Sequence, residues 1–321
     1  MKNRTIAVLT SGGDAPGMNA CIRAVVRTAL NSRAWIFGVR RGYDGLINEN
    51  IFRMDFSSVS DIIHRGGTML YTARSPQFKT PKGLKKAALF CKDKKINGII
   101  TIGGDGTFRG AMELGKMGIP CICVPGTIDN DVGFSEYTIG FDTAMNTAID
   151  MIDKIRDTAQ SHNRCSIVEV MGRHCGRIAL YTGIAVGAVA ILIPEKPCDF
   201  EKDIVNPMKN RLKYGKHHFI IVVSEGVGNI DKLAVKIKNE VQIETRTTVL
   251  GHVQRGGAPT LRDRVLASEM GYKAAKLLCE GEGNCVLAAK NGRVVKINME
   301  EAANMKKEFK DELYEAALKI R

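Results

Sequence analysis

Two carboxylates, Asp129 and Asp131, stand two residues apart in the stretch IPCICVPGTIDNDV, residues 119–132. An apolar run ends at Pro125 and Gly126 just before them. A carboxylate placed at such a point can take a proton from a hydroxyl, or help to hold a hard cation. Asp and Asn are also ordinary turn residues, so this stretch alone leaves a solvated turn open.

Other loops widen the choice. SGGDAPGMN at 11–19 and GGDGT at 103–107 are Gly-rich turns of the kind that feed helix N-termini. Gly lets the backbone approach an anion closely, and a helix start supplies free N–H groups and a positive dipole end. Phosphate is the natural guest, although tight strand-to-helix connections use Gly for steric reasons alone. Neither loop is followed by Lys-Ser/Thr and neither fits G-x-G-x-x-G, which disfavours a Walker site and a nicotinamide site. Asp105 sits inside GGDGT. A carboxylate among phosphate-cradling glycines repels phosphates unless a cation intervenes, and Mg²⁺ held by one carboxylate plus substrate phosphates fits. That combination points to nucleotide phosphoryl transfer. Asp129 is then a candidate base for an acceptor hydroxyl, with Asp131 placed to tune it or to assist the metal. Arg164, Arg173, Arg246, Arg255 and His252 add cations suited to a second, phosphate-bearing substrate. A single loop Arg is more often just a surface residue. Glu225 is placed either to accept from a sugar hydroxyl or to favour a helix start.

The elements that must position these residues repeat one pattern: a short β-branched run, a Gly-rich loop, then a helical stretch. TIAVLT, INGIITI, PCICV, RCSIVEV, HFIIVVS and TRTTVLG are the runs. Runs without polar alternation suit strands covered on both faces, and alternation with helices gives βαβ units. The expected fold is α/β, two doubly wound, mainly parallel-sheet domains. Ligands in such folds bind past the carboxyl ends of strands, where all these loops fall. KGLKKAALFCKDKK at 82–95 reads as a solvated helix face, the run at 178–193 as a buried helix entering a buried strand, and the C-terminal stretch as one or two amphipathic helices.

Composition excludes several classes. The 321 residues are 44% hydrophobic and 25% charged, with 47 Lys plus Arg against 34 Asp plus Glu, a net +13. Such a balance serves anionic metabolites as well as nucleic acid. No block of five basic residues is present and aromatics are only 6%, too sparse for a stacking platform, so no nucleic-acid partner is expected. Nine Cys without a CxxC pair argue against a disulfide framework, and Cys121 and Cys123 read as reduced core residues. Six His without metal spacing argue against zinc. The apolar run at 178–193 falls short of the ~20 residues that span a bilayer. With no signal-like segment at the start, a cytoplasmic location and no membrane partner are expected.

Taken in order, SGGDAPGMN, GGDGT, PGTIDND, VEVMGRHCG, SEG and GHVQRGG resemble the bacterial type of ATP-dependent 6-phosphofructokinase. The motifs run from residue 11 to 257, and PGTIDND with VMGR…CG is highly specific. The resemblance implies transfer of the ATP γ-phosphoryl group to the 1-hydroxyl of fructose 6-phosphate, the committed step of glycolysis. Carried onto this chain, Asp129 is the base, with Thr127 beside it and Asp131 nearby. Arg173 and Arg74 stabilise the transferring group. Gly13, Arg74, Ser75, Gly104, Asp105, Gly106 and Thr107 hold ATP, with Asp105 on Mg²⁺. Met171, Gly172, Arg173, Glu225, His252 and Arg255, together with Thr127 and Asp129, bind the sugar phosphate. Arg164 and Arg246 reach the 6-phosphate of a neighbouring subunit, which implies an oligomer, usually a homotetramer. The implied domains are 1–138 plus 251–302, the larger and ATP-binding one, and 139–250 plus 303–321, the smaller and sugar-phosphate-binding one.

Pyrophosphate-dependent relatives typically carry Asp where Gly106 stands and Lys where Gly126 stands, filling the α-phosphate region, so two glycines favour ATP. NAD and lipid kinases share GGDGT but lack the TIDND and MGR loops. A non-catalytic regulatory paralogue is disfavoured because every catalytic residue is present. The family's effector site, where ADP activates and phosphoenolpyruvate inhibits, is represented by Arg23, Arg27, Arg156 and Lys216. Phe56, Val189 and Tyr214 depart from the Arg, Glu and Lys usual there, so altered regulation is expected.

Overall fold

The computed structural model describes residues 4–321. In chain order the elements are β1 (Thr5–Thr10), α1 (Met18–Asn31), β2 (Trp35–Val39), α2 (Gly42–Ile47), β3 (Ile51–Arg53), α3 (Pro81–Asp93), β4 (Gly98–Gly103), α4 (Asp105–Lys116), β5 (Cys121–Pro125) and α5 (Phe141–Ser161). They continue as β6 (Cys165–Val170), α6 (Arg177–Ala185), β7 (Ala190–Leu192), α7 (Asn206–Lys213), β8 (Phe219–Ser224), α8 (Ile230–Val241) and β9 (Thr245–Val249). The chain ends with α9 (Leu261–Glu280), β10 (Cys285–Lys290), β11 (Arg293–Asn298), α10 (Met299–Ala303) and α11 (Asp311–Ile320). No helix among the described residues is long and apolar enough to cross a membrane.

Two compact units result. The larger runs to Thr143 and resumes over Arg255–Lys307; the smaller comprises Ala144–Gln254 and Glu308–Arg321. The chain therefore changes unit inside the first turn of α5, again within GHVQRGG between Gln254 and Arg255, and a third time after Lys307.

The larger unit is built on a seven-stranded sheet of order β11-β10-β5-β4-β1-β2-β3. Its four inner pairings are parallel, while the edge strands β3 and β11 run antiparallel to their neighbours. β4 and β5 are buried at every position, which is why their sequences carry no polar alternation. One face packs Leu9, Tyr43, Phe78, Phe90, Ile99, Phe108 and Leu114 into a core. Helix starts follow local chemistry: the Thr80 hydroxyl accepts from Gly83 N–H with Pro81 at the first helical position of α3. α9 lies close along α1, and a Cβ on Gly271 would sit 2.6 Å from Cys21 O.

The smaller unit holds a four-stranded, wholly parallel sheet of order β7-β8-β6-β9. The apolar run at 178–193 becomes α6 and β7, and β8 is buried throughout. Ile167, Val205, Met208, Phe219, Ile221 and Ile237 fill its core. Both units are α/β.

Candidate active site

In the larger unit, parallel pairing of β1, β4 and β5 brings three loop-bearing strand ends side by side. Gly126 N–H donates to Gly103 O (3.0 Å) and Ser11 N–H to Ile102 O (3.1 Å). GGDGT is the start of α4: Gly104 is its N-cap in an extended conformation, and Asp105 is its first helical residue. Thr107 is buried and donates through its hydroxyl to Ser11 O (2.9 Å), tying GGDGT to SGGDAPGMN. A Cβ on Gly104 would lie 3.5 Å from Thr127 Cβ, so GGDGT and PGTIDND face each other. This juxtaposition joins a helix N-terminus with free N–H groups to a hydroxyl and a carboxylate.

Asp129 is only 4% exposed and Thr127 7%, which rules out the solvated turn for these two residues. Asp129 N–H donates to Thr127 Oγ1 (3.3 Å). Asn130 adopts a left-handed φ of 49°, which reverses the chain between the two carboxylates. Its side-chain nitrogen donates to Glu136 O (3.1 Å), and Lys307 donates to both Asn130 Oδ1 and Ser135 O. Asp131 is half-buried.

Gly13 and Arg255 are brought together. The Arg255 guanidinium donates to Asp14 O (2.9 Å) and occupies the space a Cβ on Gly13 would need. Arg74 is exposed and Ser75 half-buried, on an irregular segment that Thr72 ties to SGGDAPGMN through a bond to Gly12 O (2.7 Å). Gly106 and Gly126 differ. A Cβ on Gly106 meets nothing within 4 Å, whereas on Gly126 it would press on Ile102 at 3.0 Å. Packing therefore accounts for Gly126, and only Gly106 keeps open space beside the helix start.

In the smaller unit, the MGR turn leaves β6 and is held by Glu225. One carboxylate oxygen accepts from Arg173 N–H (2.6 Å) and Gly172 N–H (3.3 Å). Arg173 is itself left-handed, with φ 54°, and Gly172 lies at φ 140°. Glu225 is thus first a clamp on this backbone, a role its place after HFIIVVS did not reveal. It also helps burial to raise the pKa of Glu169, with Asp231 contributing. Met171 N–H reaches Gln254 Oε1 (3.4 Å), and His252 is exposed in the turn at Gly251–Arg255. Arg164 and Arg246 both pair with Glu244, at 2.8 and 2.6 Å. Hydrogen bonding from Arg164, then from Arg246, holds the Glu244 carboxyl below its ordinary value.

The cations expected at an effector site are placed unit by unit. Arg23 and Arg27 lie half-buried on α1. Arg156 on α5 donates to Val186 O, and it adds to burial and Arg211 in lowering the Lys216 pKa. Val189 is 3% exposed in the core of the smaller unit, while Phe56 and Tyr214 are exposed.

These loops, at these strand ends, invite comparison with known proteins. A family model described as Phosphofructokinase matches residues 5–278. The chain belongs to the phosphofructokinase family. It is 54% identical over 314 residues to a Clostridium botulinum (strain Hall) protein named ATP-dependent 6-phosphofructokinase, covering 98% of each chain. An Alkaliphilus metalliredigens protein of the same name matches at the same identity and coverage. Among solved structures, phosphofructokinase from Saccharomyces cerevisiae superposes with a TM-score of 0.89 at 31% identity. That match covers 98% of this chain but 50% of the yeast chain. A pyrophosphate-dependent phosphofructokinase from Marinobacter aquaeolei, at 23% identity and TM-score 0.84, shares the fold.

Proposed function

We propose that this chain is an ATP-dependent 6-phosphofructokinase, transferring the γ-phosphoryl group of ATP to the 1-hydroxyl of fructose 6-phosphate. The observation that carries the reading is the buried Thr127–Asp129 loop facing the Gly104 cap of α4. The α4 start and the Gly12–Gly13 turn, with Arg74 and Ser75, take the nucleotide phosphates. Asp129 takes the proton as the 1-oxygen bonds to the γ-phosphorus and the bond to the ADP oxygen breaks. Arg173 and Arg74 stabilise charge on the transferring group. Met171, Gly172, Glu225, His252 and Arg255 orient the sugar phosphate.

Asp105 fits the metal role expected of it. Among the described residues no group of three or more His, Cys, Asp or Glu is arranged to cage an ion. A lone, half-exposed carboxylate at a phosphate-binding helix start suits Mg²⁺, which brings phosphate and water ligands with it. When bound, Mg²⁺ neutralises phosphate charge. Arg109, 2.7 Å from Asp105, is the cation it would displace or share.

We assign Arg164 and Arg246 to the 6-phosphate of a neighbouring subunit, and the chain to a cytoplasmic homotetramer. Glu244 then keeps the two guanidinium groups aligned until phosphate arrives. The test is ADP release on mixing the purified protein with ATP, Mg²⁺ and fructose 6-phosphate. Sugar-dependent release, with pyrophosphate inert as donor, is the expected result. Comparable rates with pyrophosphate would overturn the donor assignment.

A further inference from the structure

The loop that carries Asp129 is closed by its own return arm. Ile139 N–H donates to Pro125 O (3.0 Å), and Thr138 Oγ1 donates to Thr127 O (2.6 Å). That arm is fastened by a residue with no part in the chemistry above. Asp263 is 0% exposed in the first turn of α9. Its Oδ1 accepts from Gly140 N–H (2.9 Å), and its Oδ2 accepts from Thr143 N–H (2.8 Å) and Thr143 Oγ1 (2.5 Å). α5 is thus capped by a carboxylate 120 residues away in sequence.

The fastening is reciprocal. Thr260, the N-cap of α9, donates from its N–H to Thr143 Oγ1 (3.0 Å) and from its hydroxyl to Asp142 Oδ2 (2.7 Å). The main chain of Asp263 also borders the phosphate loop: its carbonyl oxygen lies 3.5 Å from where a Cβ on Gly17 would stand. Gly17 is the N-cap of α1. Asp263 therefore touches the end of the phosphate loop and the return arm of the Asp129 loop, and sits eight residues after Arg255. Burial alone makes an ionised carboxylate costly, so a purely packing role would be met better by an apolar residue. Three donors converging on it argue for a positional role.

We propose that Asp263 is a positioning residue for phosphoryl transfer. By holding Gly140 and Thr143 it fixes the arm at 138–140, and through that arm the placement of Thr127 and Asp129. The inference rests on reading Asp129 as the base. A displacement of about 1 Å at a reacting group can cost ~10²-fold in rate.

The test compares the parent with Asp263→Asn, Thr143→Val and Thr143→Ser, assayed well below their melting temperatures. Asp263→Asn keeps the shape but aims an amide NH₂ at N–H donors. Thr143→Val removes the hydroxyl, and Thr143→Ser keeps it. The expected result is a kcat reduced ~10-fold or more in the first two variants. The KM values for ATP and fructose 6-phosphate should stay within ~3-fold, with most activity retained in Thr143→Ser. Backbone hydrogen exchange should rise over 126–131 as well as over 138–143. Folded variants with kcat close to the parent, or with raised KM alone, overturn the proposal, as does exchange that rises only over 138–143. Should Asp263→Asn fail to fold, the Thr143 pair decides by the same criteria. A parent without sugar-dependent ADP release would instead sink the reading of Asp129, while the exchange pattern still decides whether Asp263 orders the loop.

Discussion

At the residue scale, the proposed chemistry rests on Asp129, and burial decides how it could act. A carboxylate 4% exposed beside the Thr127 hydroxyl is held in one place rather than sampling solvent. Asp129→Ser should lower kcat by ~10²–10⁴-fold, since that is what a missing general base costs. Fructose 6-phosphate binding, followed by calorimetry, should persist; near-normal turnover would refute the assignment. Gly106 supports a second prediction. Because a Cβ there meets no protein atom, Gly106→Asp should fold with an unchanged melting temperature. Its carboxylate would crowd and repel the nucleotide, so the KM for ATP should rise while that for the sugar phosphate holds. An unchanged KM for ATP would show that the open space serves something else.

At the element scale, the two N-termini locked by Asp263 have a pH signature. Burial is the largest influence on Asp263 and pushes its pKa up to about 6, against the lowering effect of its Thr143 and Gly140 donors. The folded state therefore holds the proton more tightly than the unfolded chain, whose carboxyl titrates near ~3.9. The cost of the buried charge is absent below about pH 4, grows between about 4 and 6, and is complete above that. Denaturant unfolding of the parent and Asp263→Asn across this range should show the parent losing up to ~3 kcal/mol relative to the variant as pH rises. A difference that stays flat with pH would mean that folding leaves the pKa of the carboxyl unchanged. The cap of α3 gives a simpler test of local chemistry: Thr80→Ala removes the acceptor for Gly83 N–H and should cost ~1 kcal/mol of stability without touching KM.

At the scale of the whole molecule, the candidate residues fall in both units. The larger holds SGGDAPGMN, GGDGT and Asp129, and the smaller holds the MGR clamp and the Arg164–Glu244–Arg246 group. Regulation belongs to this scale as well. Val189 is a core residue without a side-chain oxygen, so its side chain cannot ligate a metal accompanying a diphosphate nucleotide. Phe56 and Tyr214 offer no charge to a phosphate. ADP should therefore fail to activate, while the remaining cations Arg23, Arg27, Arg156 and Lys216 leave inhibition by a small anion such as phosphoenolpyruvate in place. Fructose 6-phosphate saturation curves with and without each effector check this; strong activation by ADP that relieves inhibition would overturn it.

The sequence by itself determined the parallel strands and the loops beyond them. TIAVLT, INGIITI, PCICV, RCSIVEV and HFIIVVS became strands because a mainly apolar run must be covered on both faces, whereas TRTTVLG became a half-exposed edge strand favoured by its β-branched residues. The helix starts at Met18 and Asp105 were equally legible, since Gly-rich turns and free N–H groups are local features. Long-range pairing was not. The antiparallel hairpin β10–β11 turns at Asn291-Gly292, a local signal, but the parallel seating of β10 beside β5, far back in the chain, is not written in either segment. Glu225 looked like a hydroxyl acceptor or a helix-start carboxylate, and only the fold showed it gripping Gly172 and Arg173, some fifty residues back in the chain. Asp263 carried no signal, because RDR at the start of a helix reads as a solvated turn of charges. Its meaning arises only when α5 and α9 bring their first turns together in the interior, where a buried carboxylate must find donors and the nearest ones belong to the arm behind Asp129.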